Sequence, residues 1–250
     1  MELQRQGQLV DAEAAYRKAI AFKPNYARAH CNLGYIPKTK GQFRDALAAY
    51  ERGHELGSQS HGWQYPSAQW LRECQRLVEL DAKLSKVLSG DKKPIDANEQ
   101  AELAGLCQQP CKKLYVAAAR FYTDAFAAEP KRADDLRTRV RYNAACAAAL
   151  AGCGQGNDAA QLDAEERTRL RRQALTWLRA DLTTWGQILE KQADQARPTV
   201  LKTMQHWQQD SDFAGVRGDA LAKLPEAERK AWLKLWKEVE MLRERAEEVD

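Results

Sequence analysis

Histidines and cysteines are the residues in this sequence best suited to hold a metal ion or to act in covalent catalysis. The four histidines are His30, His54, His61 and His206. His54 and His61 are the nearest pair, but no cysteine or carboxylate at ligand spacing accompanies them. Cys107 and Cys111 lie one helical turn apart, yet Pro110 separates them and no histidine is close. The sequence therefore predicts no metal site.

A short glycine-rich segment, Gly152-Cys153-Gly154-Gln155-Gly156, has the composition of a phosphate-binding loop. Such a loop follows a strand and ends on a lysine and a hydroxyl residue. This segment instead follows an alanine-rich stretch and continues into Asn157 and Asp158, so we interpret it as a flexible turn. No nucleophile with a matching base can be assembled either, and we predict no catalytic residues and no cofactor.

The cysteines also bear on cellular location. Six are present, mostly among alanines and leucines, where cysteine behaves as a small apolar residue; they are Cys31, Cys74, Cys107, Cys111, Cys146 and Cys153. No CxxC pair and no compact disulfide framework is seen. The N-terminal residues lack the features of a signal peptide, and no run of about 20 apolar residues occurs. We expect a cytoplasmic protein with reduced thiols and no membrane insertion.

The charge balance is close to even, with 39 basic and 35 acidic residues and a net charge of +4. Arginines are concentrated in residues 131–141 and 167–172. These segments leave an RNA-binding face open as an alternative, although such runs are more often the solvated side of a helix.

Composition favours an all-α fold. Apolar residues make up 44% of the chain and charged residues 30%, with only 14 glycines and 8 prolines. Dense alanine runs such as YNAACAAALAG favour close-packed helices over strands.

The strongest pattern is an internal repeat. Four positions recur after about 34 residues, with Gly7, Ala12, Tyr16 and Ala19 returning as Gly41, Ala46, Tyr50 and Gly53. A repeat of this length indicates stacked helical hairpins that bury their faces against neighbours. The alanines allow close helix contact, and the tyrosines four residues later fill the space on the same face. Gly7 and Gly41 are expected to form the turns between helices, and Pro24 to open the next helix.

This pattern resembles the tetratricopeptide repeat. The alanine, aromatic, small residue and proline of its second helix correspond to Ala12, Tyr16, Ala19 and Pro24, and again to Ala118, Tyr122, Ala125 and Pro130. Leu33 and Gly34 match its first helix. A more divergent unit pairs YNAACAAALAG with RRQALTWLRADL, which contains Ala174 and Leu178. The resemblance implies a right-handed stack of antiparallel helical hairpins, a tetratricopeptide-like solenoid, with divergent extra helices.

The chain also departs from a regular array. Pro37 stands inside the first helix of the second repeat and is expected to kink it or end it early. We divide the chain into repeats at 1–57, a helical insertion at 58–110, divergent repeat-like helices at 111–192 and a C-terminal helical segment at 193–250.

Several helix boundaries can be predicted from local signals. A helical stripe runs from Ser67 to Leu88 and is closed by Gly90. The pairs Asp96 with Glu99 and Asp163 with Glu166 indicate helix starts. A final helix from about Pro225 to Arg245 carries an apolar stripe that we expect to pack against the helix of Trp207, with an exposed partner-binding stripe as the alternative. The stripe consists of Trp232, Leu235, Trp236, Val239 and Leu242.

A wider resemblance rests on the phrases GHELGSQSHGWQYPSAQW, YNAACAAALAGCGQG, RRQALTWLRADL and LPEAERKAWLKLWKEVE. Together they resemble the C-terminal repeat region of large bacterial serine/threonine protein kinases, which implies a partner-recruiting role. Kinase chemistry does not carry over, because the chain has no phosphate-covering glycine loop, no HRD and no DFG motif.

The same resemblance implies where a partner would bind. A tetratricopeptide groove is lined by the first helix of each unit, which here gives Arg28, Cys31, Asn32, Tyr35, Lys38 and Thr39. Asn32 would hold a peptide backbone, and Arg28 and Lys38 would meet carboxylates. The alternative is that all six are ordinary helix-surface residues. The terminal Glu247-Glu248-Val249-Asp250 matches the tail by which heat-shock chaperones bind such grooves, and chance is the simpler explanation of that match.

The sequence thus predicts a non-catalytic scaffold for a protein or peptide partner, with no small-molecule substrate and with nucleic acid as the less favoured partner. Two other classes stay open: RNA binding through the arginine-rich helices, and an enzyme without a recognisable motif.

Overall fold

The computed structural model describes residues 2–248 of the chain, with side chains from residue 8 onward except at residue 193. It contains eleven α-helices and, within that range, no β-strand. The helices are α1 (Glu2–Phe22), α2 (Ala27–Thr39), α3 (Phe43–Ser58), α4 (Ser67–Leu88), α5 (Ala97–Gln108), α6 (Tyr115–Ala128), α7 (Lys131–Asp134), α8 (Val140–Gly152), α9 (Ala164–Lys191), α10 (Ala193–Gln209) and α11 (Glu226–Glu247). Two 3₁₀ helices, Ser211–Val216 and Gly218–Lys223, separate α10 from α11. The predicted all-α class is confirmed.

The chain divides into two compact units. The first consists of Met1–Lys93 with Gln109–Lys112, and the second of Pro94–Gln108 with Lys113–Asp250. The first unit therefore contains α1 to α4, and the second contains α5 to α11. The four segments expected from the sequence remain a prediction.

In the first unit each helix packs against the next one along the chain. Helices α2 and α3 form a hairpin whose turn contains Gly41 at φ +78°, a backbone conformation that favours glycine. The repeat residues Ala46 and Tyr50 are buried in α3. Gly34 explains the close fit, because a Cβ there would lie 3.1 Å from the Tyr50 ring. The packing roles predicted for the alanine and tyrosine of this repeat are confirmed.

One prediction for the first unit is wrong, and another is tested only in part. Gly7 does not form a turn, because α1 continues through it as one helix from Glu2 to Phe22. One glycine in a helix costs about 1 kcal/mol, and the glutamine, leucine and arginine residues around it are good helix formers that offset this cost. Pro37 lies inside α2, which runs on for two residues to Thr39, and the kink expected at Pro37 remains a prediction. A proline so near the end removes only one helical hydrogen bond.

In the second unit the main pairs are α5 with α6, α8 with α9, and α10 with α11. Ala118, Tyr122 and Ala125 are buried on α6, and the Tyr122 hydroxyl donates to Gln108 Oε1 at 2.8 Å. Helix α8 is almost wholly buried because its alanines let α6 and α9 approach from two sides. The predicted pairing of YNAACAAALAG with RRQALTWLRADL is confirmed.

The end of the chain packs as the periodicity predicted. Trp232, Leu235 and Val239 of α11 are buried, as is Trp207 of α10. Trp236 is partly buried, and its indole N–H donates to the Val216 carbonyl at 2.7 Å. The apolar residues of α11 therefore pack into the protein's own core and do not form an exposed binding surface.

The predicted helix boundaries are also confirmed. Helix α4 spans Ser67–Leu88 and is followed by Gly90 at φ +85°. Asp163 and Glu166 form a reciprocal capping box at the start of α9. Glu99 N–H donates to Asp96 Oδ1 at 2.8 Å, which caps α5. These boundaries were predictable because each depends on residues only three positions apart.

The segment after α8 is a turn, as expected. Gly154 and Gly156 have φ of +77° and +102°. Asn157 N–H donates to the Lys113 carbonyl at 2.8 Å, which ties the turn to the start of α6.

Candidate functional site

Four of the six predicted groove residues form one face of α2. Arg28, Asn32, Tyr35 and Thr39 follow the i, i+4, i+7, i+11 spacing of a helical stripe. Arg28 and Tyr35 are exposed, Tyr35 by 50%, and Asn32 is partly buried. Thr39 Oγ1 donates to the Ile36 carbonyl at 2.8 Å, so its hydroxyl is engaged by its own helix. This stripe offers a guanidinium, an amide and a phenol ring to solvent.

Cys31 lies on a different side of α2. Its side chain is buried against α3, where a Cβ on Gly53 would come within 2.4 Å of its sulfur. Burial raises the pKa of the thiol to about 11, so it stays protonated at neutral pH. Cys31 therefore contributes to the contact between α2 and α3 and is not part of the exposed stripe.

Lys38 lies at the edge of the stripe. Its Nζ is 3.8 Å from a carboxylate oxygen of Glu73 on α4, and both side chains are partly exposed. A pair of this length and exposure contributes little to stability. The Lys38 charge thus lies on this face of α2, and its ion pair with Glu73 does not fix it in one position.

An aromatic cluster that the sequence did not single out lies beside the stripe. It consists of Trp63, Tyr65 and Trp70, all partly buried. The ring centroids of Trp63 and Tyr65 are 5.0 Å apart, and those of Tyr65 and Trp70 are 5.7 Å apart. The Arg28 guanidinium lies 5.2 Å from the Tyr65 centroid, a cation–π distance. The spacing of aromatics in GWQYPSAQW was the available signal, but their contact with Arg28 depends on the fold.

The cluster is fixed by contacts to neighbouring helices. Gly57 leaves room for Trp63, since a Cβ on Gly57 would lie 2.3 Å from its ring. The Trp63 indole N–H donates to Ser67 Oγ at 2.9 Å, and that oxygen is also 2.9 Å from His54 Nδ1. These contacts fix the position of the aromatic rings next to Arg28.

The arginine-rich helices are less available than their sequence suggested. Arg141 is buried and its Nε is 2.6 Å from Asp181 Oδ1. Arg171 is buried and its Nε is 2.7 Å from Glu228 Oε2. Two members of the arginine runs therefore serve the core of the second unit, which weakens the case for a nucleic-acid surface.

Other predicted features have simple placements. His30 Nε2 lies 2.9 Å from the Pro24 carbonyl in the turn before α2. The last two residues of the Glu247–Asp250 tail fall outside the part of the chain that the structure describes. Within residues 2–248, no helix has both the length and the apolar character needed to cross a membrane.

Comparison with known proteins yields one family match. Residues 3–37 match the family model described as TPR repeat, which is the tetratricopeptide repeat. Among curated proteins, none matches the chain. The matched segment covers α1 and most of α2, the helix that carries the stripe. Together with the helices packed in adjacent pairs, this match supports a tetratricopeptide-repeat protein.

Proposed function

We propose that this protein is a non-catalytic scaffold that binds a protein or peptide partner on the stripe of α2. Tetratricopeptide repeats generally mediate protein–protein interactions. The observation that carries the proposal is that the exposed Arg28 and Tyr35, with the partly buried Asn32 between them, lie beside the aromatic cluster.

The chemistry of this face favours an extended segment that carries carboxylates. A guanidinium binds a carboxylate through two parallel hydrogen bonds, and Arg28 is preoriented by the Tyr65 ring. The Asn32 amide has both a donor and an acceptor for a peptide group. Tyr35 adds an exposed ring for an apolar side chain, and tyrosine and arginine are among the residues that dominate binding energy at interfaces.

The remaining predicted residues have supporting roles in this proposal. Lys38 adds positive charge at the edge of the stripe, Thr39 completes it, and Cys31 supports it from the α2–α3 interface. The partner would be recognised mainly by its charge and by one or two apolar contacts. No small-molecule substrate or cofactor takes part in this proposal.

A finer proposal concerns the biological setting. We propose that the chain is the partner-recruiting region of a bacterial serine/threonine protein kinase, or a stand-alone cytoplasmic relative of such a region. The support is the resemblance of four sequence phrases, among them those of α8 and α9. Sequencing the gene upstream of the Met1 codon tests it: an in-frame kinase domain supports the first form, and an immediate promoter supports the second.

The binding surface is tested with peptides selected on the full chain from a random display library. Tyr35→Ala and Arg28→Ala should each weaken the selected peptides by more than about tenfold, as expected for anchor residues. Tyr26→Ala is the matched control, because Tyr26 is also exposed but lies outside the stripe. Circular dichroism checks that all three variants remain folded.

Two results would overturn the proposal. One is that peptides bind Tyr35→Ala and Arg28→Ala as tightly as the unchanged protein. The other is that Tyr26→Ala weakens binding as much as they do, which would show a general effect of tyrosine loss.

A further inference from the structure

Three metal-ligating side chains lie together in the second unit, and a fourth lies beside them. Sulfur and carboxylate oxygens of Cys146, Asp210 and Asp212 all lie within 4.8 Å of one another. His206 Nε2 is 3.5 Å from Asp210 Oδ2. We call these four residues the mixed-donor cluster.

The fold brings the cluster together from three elements. Cys146 is on α8 and is only 3% exposed. His206 is in the last turn of α10, and the two aspartates flank the start of the 3₁₀ helix Ser211–Val216. Asp210 Oδ1 accepts a hydrogen bond from Asp212 N–H at 3.0 Å, which sets the bend between the two helices. Sixty residues separate the cysteine from the histidine, so the arrangement is tertiary.

Neighbouring groups hold these side chains in place. The Tyr142 hydroxyl donates to Asp210 Oδ2 at 2.6 Å, and its ring lies 5.7 Å from the His206 ring. The Arg217 guanidinium donates to the carbonyl of Asp210 at 2.9 Å and to that of Trp207 at 2.8 Å. Outer hydrogen bonds of this kind orient the ligands in metal sites.

The charges in the cluster also favour a cation. Two partly buried carboxylates stand side by side, and the more exposed imidazole of His206 lies beside Asp210. The two carboxylates repel each other when both are ionised. A divalent ion would neutralise this repulsion.

We propose that Cys146, His206, Asp210 and Asp212 form a binding site for a divalent metal ion of the zinc class. Thiolate and imidazole ligands select borderline ions such as Zn²⁺ and Co²⁺ over Mg²⁺ and Ca²⁺. Donor atoms about 2.0–2.3 Å from one zinc ion lie within roughly 4 Å of one another, so Cys146, Asp210 and Asp212, now within 4.8 Å, need to close only slightly. The more exposed His206 side chain has to move in from its position beside Asp210. This site does not depend on the proposed peptide surface.

Binding has a defined proton balance. The Cys146 thiol releases its proton to solvent and its sulfur bonds to the metal, while His206 binds through the lone pair of its neutral Nε2. Asp210 keeps its hydrogen bond from Tyr142, because each carboxylate oxygen has a second lone pair. Four protein ligands leave no open position, which is typical of a structural zinc site. The ion would join α8, α10 and the 3₁₀ helix.

Cobalt tests the site directly, because a cobalt–thiolate bond has its own charge-transfer absorption. The full chain, stripped with a chelator, is titrated with Co²⁺, and bound Zn²⁺ is counted by elemental analysis. We expect one ion per chain with a thiolate-to-cobalt band. Cys146→Ser should abolish the band, and Asp212→Asn should weaken binding at least about tenfold.

Cys153→Ser is the matched control, since Cys153 directly follows α8 and packs against Gly215 outside the cluster. It should leave both the band and the affinity unchanged. Tyr142→Phe should retain the band but bind metal about 10- to 100-fold more weakly, as for other outer-shell ligands. If Cys146→Ser does not fold, Asp212→Asn and Tyr142→Phe still carry the test.

The proposal is overturned if the stripped chain takes up no stoichiometric Co²⁺ or Zn²⁺. It is also overturned if the band survives in Cys146→Ser or disappears in Cys153→Ser. Either result would make the cluster a hydrogen-bonded part of the core and nothing more.

Discussion

Helices α2 and α3 touch at Gly53, and adding a single methyl group there should destabilise the protein. A Cβ at this position would lie 2.4 Å from Cys31 Sγ and 2.8 Å from the Cys31 backbone nitrogen. The Cys31 sulfur could rotate away, but the Cys31 nitrogen is part of the α2 backbone and can move only if the whole helix moves. Gly53→Ala therefore forces the two helices apart.

The expected magnitude follows from two opposing effects. Alanine is better than glycine in a helix by about 1 kcal/mol. Overpacking a close contact costs about 1–3 kcal/mol, and a clash with backbone belongs at the upper end. We expect Gly53→Ala to lower the free energy of unfolding by about 2 kcal/mol.

Gly186→Ala is the control, because Gly186 lies inside α9 with nothing within 4 Å of its added Cβ. It should raise the free energy of unfolding by up to about 1 kcal/mol. The two identical substitutions should thus differ by about 3 kcal/mol and in sign. Urea unfolding followed by circular dichroism measures both.

The double variant Gly53→Ala with Cys31→Ala refines the test. It removes the sulfur clash but keeps the clash with the backbone nitrogen, so it should recover only part of the loss caused by Gly53→Ala. If Gly53→Ala is as stable as the unchanged protein or more stable, the close α2–α3 contact is refuted, and with it the inward position of Cys31.

Two further predictions concern buried ion pairs in the second unit. Asp181→Ala removes the 2.6 Å partner of the buried Arg141 charge and leaves it only the exposed Asp134 carboxylate at 2.9 Å. It should lower the free energy of unfolding by about 3 kcal/mol, the lower end of the range for an uncompensated buried charge. Asp135→Ala, which removes an exposed pair with Arg137, should leave the thermal midpoint unchanged, and equal midpoints for the two variants would refute this prediction. Burial disfavours ionised Glu228, but hydrogen bonds from Arg171 and Thr168 outweigh that effect and hold its pKa below the usual 4.5. A carboxylate with a depressed pKa stabilises the fold above about pH 4.5, and this stabilisation is lost as the pH falls through the folded-state pKa. Glu228→Gln should therefore be less stable than the unchanged protein at pH 7 and lose less stability on acidification. Parallel curves of thermal midpoint against pH for the two proteins would contradict this prediction.

The helical class, the repeat and many helix ends can be predicted from the amino-acid sequence alone. These features depend on residues a few positions apart or on a fixed period. Asp163 caps α9 with Glu166, and Ala46 and Tyr50 take the positions that their spacing requires. Local physics suffices for such predictions, because helical periodicity and capping operate within one or two turns.

Local signals were less reliable where several of them competed. The repeat placed a turn at Gly7, yet the surrounding residues continue the helix. The family resemblance grouped Cys31 with the groove residues, although the spacing of Ala27, Cys31 and Gly34 marks the buried side of α2. The glycine at position 53 shows that this side faces α3.

Only the tertiary structure decided which distant side chains meet. It placed Tyr65 over Arg28, buried Arg141 against Asp181, and brought Cys146 to the aspartates that precede and follow Ser211. No period or cap relates such residues, because they are 37 to 66 positions apart and belong to different segments of the chain. Their contacts depend on how whole helices pack, which is set by the summed burial of many apolar residues and not by any short segment.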